Sequence, residues 1–154
     1  MRHTLHPALD RTPTVELFGA VFEVDRDATL AGYRALDAPD PECCRTCALF
    51  RDRAREGRLP DALTSALGSL GIDPTKPQEV YGIPEIGVIA GWWLFVGTLE
   101  TVWRGEAEGA FEEIHPGLRC WLTDHLVVHA WPGRTGATSL VQVEFEWQLA
   151  ATAT

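Results

Sequence analysis

The clearest pattern along the chain is a strict alternation of apolar and polar residues near its C-terminal end. Over residues 141–149, apolar side chains at the odd positions alternate with Gln or Glu at the even positions. A period of two predicts a strand with one buried face and one solvated face. Residues 125–130 alternate in the same way, and a loop-forming stretch at 132–136 follows them. Together these segments predict a C-terminal β-hairpin.

The two alternations also predict a register for this hairpin. The apolar residues have even numbers in the first segment and odd numbers in the second. If both sets face one core, the numbers of two directly paired residues therefore add up to an odd value, and the loop length favours a sum of about 269. That register places His125 opposite Glu144 on the solvated face. His129 would share this face at roughly 13 Å along the strand, too far to hold one metal ion together with His125.

The first half of the chain alternates between one strand pattern and three helical patterns. Residues 15–24 predict a strand with a richly apolar face. Helices are expected near 25–36, with Asp25 or Asp27 as the cap, and near 44–57 and 60–71. Residues 91–103 are apolar on both faces at first and predict a central strand, whereas 106–113 fit a short strand or a loop equally well.

This order of elements predicts an α+β fold. We expect an antiparallel or mixed sheet of about four to six strands, with helices from the N-terminal half on one face and the hairpin at the C-terminal end. The length of 154 residues suits one domain, here assigned to residues 15–150. Residues 1–14 show no periodicity and predict an extended or mobile lead-in.

Charge and composition narrow the classes of partner. The formal net charge is -9, and Lys76 is the only lysine. An acidic protein repels phosphate backbones, so nucleic acid is not an expected partner. The sequence contains neither an apolar run of about eighteen residues nor a secretory leader, which predicts a cytoplasmic protein without a membrane partner. An unknown protein or small molecule remains as the expected partner.

The pair Cys44 and Cys47 is the motif with the most chemical potential. Two thiols three residues apart at a helix start can share a metal ion or exchange a disulfide. One such pair supplies only two of the four ligands of a structural zinc site, and an acidic loop precedes it, which opposes thiolate formation. Simple packing, metal binding and redox chemistry therefore stay open, with zinc the cofactor if there is one and none otherwise expected.

Aromatic residues suggest a second candidate site. The chain has six Trp, and Trp92 lies close in sequence to Tyr81 and Glu79. These three residues could line an aromatic cleft for a small ligand, although core packing is the simpler explanation of a Trp in a strand. No familiar catalytic or nucleotide-binding motif occurs in the sequence, so whether the protein is an enzyme is left open.

Three sequence blocks resemble a family of uncharacterised bacterial proteins of about this size. The blocks are Cys44-x-x-Cys47 with Phe50, then Leu70-Gly71-Ile72-Asp73-Pro74-x-Lys76-x-x-Glu79-Val80-Tyr81, then Gly91-Trp92-x-x-Phe95-Val96-Gly97. The family usually has Asn at the position of Leu49 and Pro-Trp at Glu146-Trp147, so no role of that amide or proline is implied. The resemblance covers roughly residues 15–149 and implies the order of elements but no activity.

From the sequence, the leading hypothesis is a non-catalytic cytosolic binding or protein-interaction domain. The alternative is a metal-binding or redox protein that uses Cys44 and Cys47. A third hypothesis is an enzyme with an unfamiliar site around Glu79, Tyr81 and Trp92.

Overall fold

The computed structural model describes residues 14–37, 45–101, 111–126 and 131–149. Within these ranges the chain forms seven strands and three helices, which confirms the predicted α+β class. The strands are β1 Thr14–Leu17, β2 Ala20–Val24, β3 Glu79–Ile83, β4 Val88–Thr101, β5 Glu112–His115, β6 Leu118–Thr123 and β7 Leu140–Gln148. The helices are α1 Arg26–Ala35, α2 Arg45–Arg55 and α3 Asp61–Ser69. None of the helices in the described ranges has the length and apolar character that crossing a bilayer requires.

All pairings within the described sheet are antiparallel, in the order β1-β2-β4-β7-β6-β5 with β3 also paired to β4. The described strands number seven, more than the expected four to six. The long strand β4 is the centre of the sheet. One of its edges pairs with β7, and the other pairs first with β3 through Val88–Trp92 and then with β2 through Gly97–Thr101.

Between β3 and β2, helix α1 completes the edge of β4. The Thr29 hydroxyl accepts a hydrogen bond from the Val96 N–H at 3.0 Å, and the Val96 carbonyl accepts one from the Asp25 N–H at 2.9 Å. The Tyr33 hydroxyl bonds both backbone groups of Leu94. Because buried backbone groups need partners, these contacts attach α1 to the sheet at a place where none of the described strands continues it.

Side chains hold both ends of α1. Asp25 caps the N-terminus, as predicted, by accepting a hydrogen bond from the Ala28 N–H at 2.9 Å. At the other end the Lys76 ammonium donates to the carbonyl oxygens of Tyr33 at 2.8 Å and Leu36 at 2.9 Å. A cation at a helix C-terminus satisfies the last carbonyls and complements the helix dipole. The only lysine of the chain is therefore a structural cap.

The predicted single strand over residues 15–24 is wrong: this segment is a hairpin of β1 and β2. Phe18 and Gly19 form its two-residue turn with φ angles of 55° and 71°, as a type I′ turn requires. Phe18 carries a bulky side chain in this conformation, and burial of its ring offsets the backbone strain. The turn lacks the usual Asn-Gly signal, which explains why the sequence pattern did not indicate it.

The C-terminal hairpin is confirmed, but its first strand is Leu118–Thr123 rather than residues 125–130. Paired numbers sum to an odd value as predicted, yet Glu144 lies opposite Trp121. The expected pairing of Glu144 with His125 is wrong, because His125 follows β6 in a bend. Residues 127–130, including His129, lie outside the described ranges.

Helix α2 packs on one face of the sheet, as predicted. Phe50 of α2 lies with its ring centroid 5.1 Å from that of Phe145 on β7 and 5.8 Å from that of Trp93 on β4. Trp93 and Phe145 are also in contact with each other, at 4.9 Å. All three side chains are fully buried, so this aromatic cluster fixes the core side of the central strands. On the opposite side, β4 carries the buried residues Ala90, Trp92 and Leu94, and β7 carries the half-buried residues Glu144 and Glu146.

Candidate functional site

The predicted cleft residues Glu79, Tyr81 and Trp92 lie together on the sheet face opposite the Phe50 cluster. Glu79 of β3 is the direct cross-strand partner of Trp92 on β4. Tyr81 lies two residues further along β3 on the same face, and its ring meets Trp92 edge-on at a centroid distance of 6.2 Å. The structure thus brings together all three residues that the sequence grouped.

Glu79 and Trp92 begin a row of directly paired residues that continues across two more strands. Trp92 pairs with Glu144 on β7, and Glu144 pairs with Trp121 on β6. In the neighbouring row, Tyr81 pairs with Ala90, which pairs with Glu146, and Glu146 pairs with Arg119. Cross-strand partners point to the same side of a sheet. We call this surface the acidic face, defined by Glu79, Tyr81, Trp92, Trp121, Glu144 and Glu146.

Tyr81 lies at the electrostatic centre of the acidic face. Its side chain is exposed, at 41%. The pKa of the Tyr81 phenol is raised, first by partial burial and then by the negative charges of Glu144, Glu146 and Glu79. Three carboxylates on two strands therefore act on one phenol oxygen, and the same potential attracts a cation to this position.

Exposed apolar residues extend the acidic face towards one end of the sheet. Among the described residues, four large hydrophobic side chains are exposed: Leu49, Tyr81, Ile86 and Phe111. Ile86 and Phe111 line a groove of about 360 Å³ that also includes Arg119 and Glu146. Three of the four exposed hydrophobic residues thus lie on the acidic face or at its border. Clustered exposure of this kind marks interaction surfaces more often than scattered exposure does.

Arg119 is the one basic group in the two central rows of the acidic face. It forms an ion pair with Glu146, with Nε donating to the carboxylate at 2.8 Å. Its guanidinium also lies over the Phe111 ring, 4.7 Å from the centroid. Arg119 therefore shows, within the chain itself, how a guanidinium binds a carboxylate and a ring on this face.

A glycine makes the close pairing beneath the acidic face feasible. A Cβ atom at Gly91 would lie 2.3 Å from the Glu79 carbonyl oxygen and 2.9 Å from the Phe145 ring. Neither the backbone of β3 nor the buried Phe145 ring has room to move. Gly91 thus lets β3 approach β4 and present Glu79 and Tyr81 beside Trp92.

The described residues do not form a cysteine site. Cys44 lies outside the described residues, and Cys47 lies on α2 as a buried side chain of the core. Cys120 is fully buried on β6, where burial and then the charge of Glu112 raise its thiol pKa to about 12. Cys120 is therefore a neutral packing group near pH 7. Within the described ranges, no three potential ligands among His, Cys, Asp and Glu converge on one point.

Sequence reasoning missed Trp121, Glu144, Glu146 and Arg119 as members of the candidate site. The alternation of β7 had indicated that Glu144 and Glu146 are solvated, but not which strands flank them. Strand β6 was not predicted, although Leu118, Cys120 and Leu122 carry the required alternation. That signal was available and would have added Trp121 and Arg119 to the solvated side.

The resemblance to a bacterial family, which depends on motifs that span Cys44 to Gly97, stays a prediction. Comparisons of the chain with protein-family models, with curated proteins and with solved structures found no match.

Proposed function

We propose that this chain is a non-catalytic, cytoplasmic binding protein whose acidic face receives a positively charged segment of a partner protein. The observation that supports this most directly is the surroundings of Tyr81: an exposed ring in contact with Trp92 and within the fields of three carboxylates. Cationic side chains bind both aromatic rings and carboxylates. This combination favours Arg and Lys over neutral or acidic groups.

The extent of the surface favours a protein segment over a single small cation. The two rows of the acidic face run across four strands, and successive rows on one strand are roughly 7 Å apart. The groove at Ile86 and Phe111 continues the surface with apolar contacts. Rings and aliphatic groups at the centre with charges around them are typical of protein interfaces.

A hexa-arginine peptide, titrated into the ¹⁵N-labelled protein, tests the proposal. We expect the indole N–H signals of Trp92 and Trp121 to shift and the binding to weaken with salt. Glu144→Gln should weaken binding about three- to fivefold, as the loss of one partly exposed charge contact predicts. Glu16→Gln is the matched control, because Glu16 is exposed on β1 away from the acidic face. It removes the same charge and should change the affinity less than about twofold.

A second pair of variants separates ring recognition from general attraction to an acidic protein. Tyr81→Ser should weaken hexa-arginine binding, whereas Leu49→Ser removes another exposed apolar side chain, on α2, and should leave the binding unchanged. Signal shifts spread evenly over the surface, or equal affinities for Tyr81→Ser and Leu49→Ser, would overturn the proposal. Binding of hexaglutamate to the same signals would overturn it as well.

A further inference from the structure

A second concave surface lies at the other end of β4, between α1 and the loop before β7. This cleft has a volume of about 650 Å³, within the range of roughly 300–1,000 Å³ that small-molecule sites occupy. One wall is formed by small residues of α1, including Ala31 and Gly32, and the other by Trp131 and the residues that follow it. We call it the α1 cleft. It lies at Val96–Thr98, whereas the acidic face is centred on Ala90–Trp92.

Both walls of the α1 cleft are attached to the same strand. Helix α1 is held through Thr29 and Asp25 to the backbone of Val96, as described above. The loop is held by the Gly97 N–H, which donates to the Ser139 carbonyl oxygen at 3.0 Å. Because each wall bonds to adjacent residues of β4, the gap between the walls is fixed before any ligand arrives.

Trp131 gives the α1 cleft an aromatic wall that depends on a glycine. A Cβ atom at Gly32 would lie 2.3 Å from the Trp131 ring, so that ring lies directly against the backbone of α1. The Tyr33 ring meets Trp131 edge-on at 5.4 Å. These contacts hold the indole in one orientation, and a rigid ring of this kind is a suitable surface for a flat apolar ligand.

The charge of the lining is one-sided. The described lining residues of the α1 cleft include Glu23 and Asp25, and they contain no Lys, Arg or His. In the part of the chain that the structure describes, no salt bridge involves Glu23. Thr98, the cross-strand partner of Glu23, adds a hydroxyl group that lies 3.4 Å from the Ser139 hydroxyl. A carboxylate ligand would be repelled here, and a cationic one attracted.

We propose that the α1 cleft binds a small organic amine with a flat apolar body. The apolar body lies against Ala28, Ala31 and Ala35 of α1, beside the Trp131 ring that packs on Gly32. The ammonium group lies towards Glu23 and Asp25. Small residues on α1 leave the space that the body needs, and the carboxylates select the charge. This inference is independent of the proposed function of the acidic face, since the two surfaces share no lining residue.

Phenethylamine and 3-phenylpropionate are the probes, because they carry the same ring and differ mainly in the sign of the charge. Binding is followed through the Trp131 indole signal and by calorimetry on the full chain. We expect phenethylamine to bind in the millimolar range, as about nine non-hydrogen atoms allow. It should bind at least about tenfold more tightly than 3-phenylpropionate. Similar affinities for the two probes, or no binding of the amine at about 10 mM, would overturn the inference.

Two variants, each with a matched control variant, locate the binding. Ala31→Leu places a larger side chain in the cleft and should abolish binding, whereas Ala62→Leu makes the same change at an exposed position of α3 and should leave it intact. Glu23→Gln should weaken phenethylamine binding about fivefold. Glu85→Gln is the charge-matched control, because Glu85 is exposed and does not line the cleft. If Ala31→Leu proves unstable, the Glu23 pair alone decides. Equal binding by all four variants would place the amine elsewhere and refute the proposal.

Discussion

The Tyr33 hydroxyl occupies the place of a missing strand beside Leu94. It donates to the Leu94 carbonyl oxygen at 2.6 Å and accepts from the Leu94 N–H at 3.2 Å. A neighbouring strand would normally satisfy both groups. Burial, opposed in part by this hydrogen bond and reinforced by the charge of Asp73, raises the Tyr33 pKa well above its usual range. The phenol therefore stays protonated, as a donor to the carbonyl oxygen must.

Tyr33→Phe should lower the free energy of unfolding by about 1–3 kcal/mol, because it leaves two buried backbone groups without a partner. The ring is retained, so its contact with Trp131 persists. Urea denaturation measures the change as a lower midpoint at an unchanged slope. Tyr81→Phe is the control, since Tyr81 is the only other tyrosine and is exposed. Equal effects of the two substitutions would contradict the role assigned to the Tyr33 hydroxyl.

Two Gly→Ala substitutions should act with opposite signs. Gly91→Ala should destabilise the protein by at least about 2 kcal/mol, because the new Cβ meets the Glu79 backbone and the buried Phe145 ring. Gly68→Ala adds a Cβ on the exposed side of α3, where nothing lies within 4 Å. It should stabilise the protein by about 0.5 kcal/mol through lower chain entropy. Thermal unfolding of both variants tests the pair, and a Gly91→Ala protein as stable as the parent would refute the close approach of β3.

Stability should fall at alkaline pH in part through Cys120. Its pKa is about 12 in the folded protein, against 9.0 for an unperturbed thiol. Below pH 9 the thiol is protonated in both states, and its contribution to stability is fully present. Between these values the unfolded state loses the proton first, so this contribution is lost as pH rises, at up to about 1.4 kcal/mol per pH unit.

Cys120→Ala isolates that contribution. The stability difference between the parent and the variant should be constant up to about pH 8.5 and shrink as pH rises further. Urea midpoints measured from pH 7 to about pH 10.5 check it. Tyr33 adds an alkaline dependence of its own, but it does so in both proteins and cancels in the difference. A difference that stayed constant over the whole range would contradict a buried, neutral thiol.

The pair Cys44 and Cys47 gives the test of the alternative function. If Cys44 and Cys47 only pack, replacing both by Ser should cost about 1–3 kcal/mol, as for a polar substitution in a core. Elemental analysis of protein purified without chelator should then find no stoichiometric zinc, and EDTA should leave the unfolding midpoint unchanged. Near-stoichiometric zinc with protected thiols, lost together with folding on chelation, would instead support a metal-binding protein.

Local sequence signals determined the helices of this protein. Asp25 caps α1, and Gly57 and Gly71, each with a positive φ angle, follow α2 and α3 where those helices were expected to end. Such signals act over three or four residues, so they can be read without knowing the rest of the fold. The alternation of β7 was equally local, and its odd positions from Val141 to Trp147 are buried as predicted. The predicted solvated side is wrong at Gln142, which is buried, whereas Glu144, Glu146 and Gln148 on the same side are partly or fully exposed.

Tertiary structure alone decided which strands meet. The pairing partner of β7 differed from the expected segment because alternation specifies the face of a strand and the parity of its register, but not its neighbour. Glu79, Tyr81 and Trp92 could be grouped from their closeness in sequence. Glu144 and Trp121 join them only through the order of β3, β4, β7 and β6 in the sheet. The α1 cleft has the same origin, since its walls come from segments about 100 residues apart. Their hydrogen bonds to β4 and the contacts of Trp131 with Gly32 and Tyr33 bring them together.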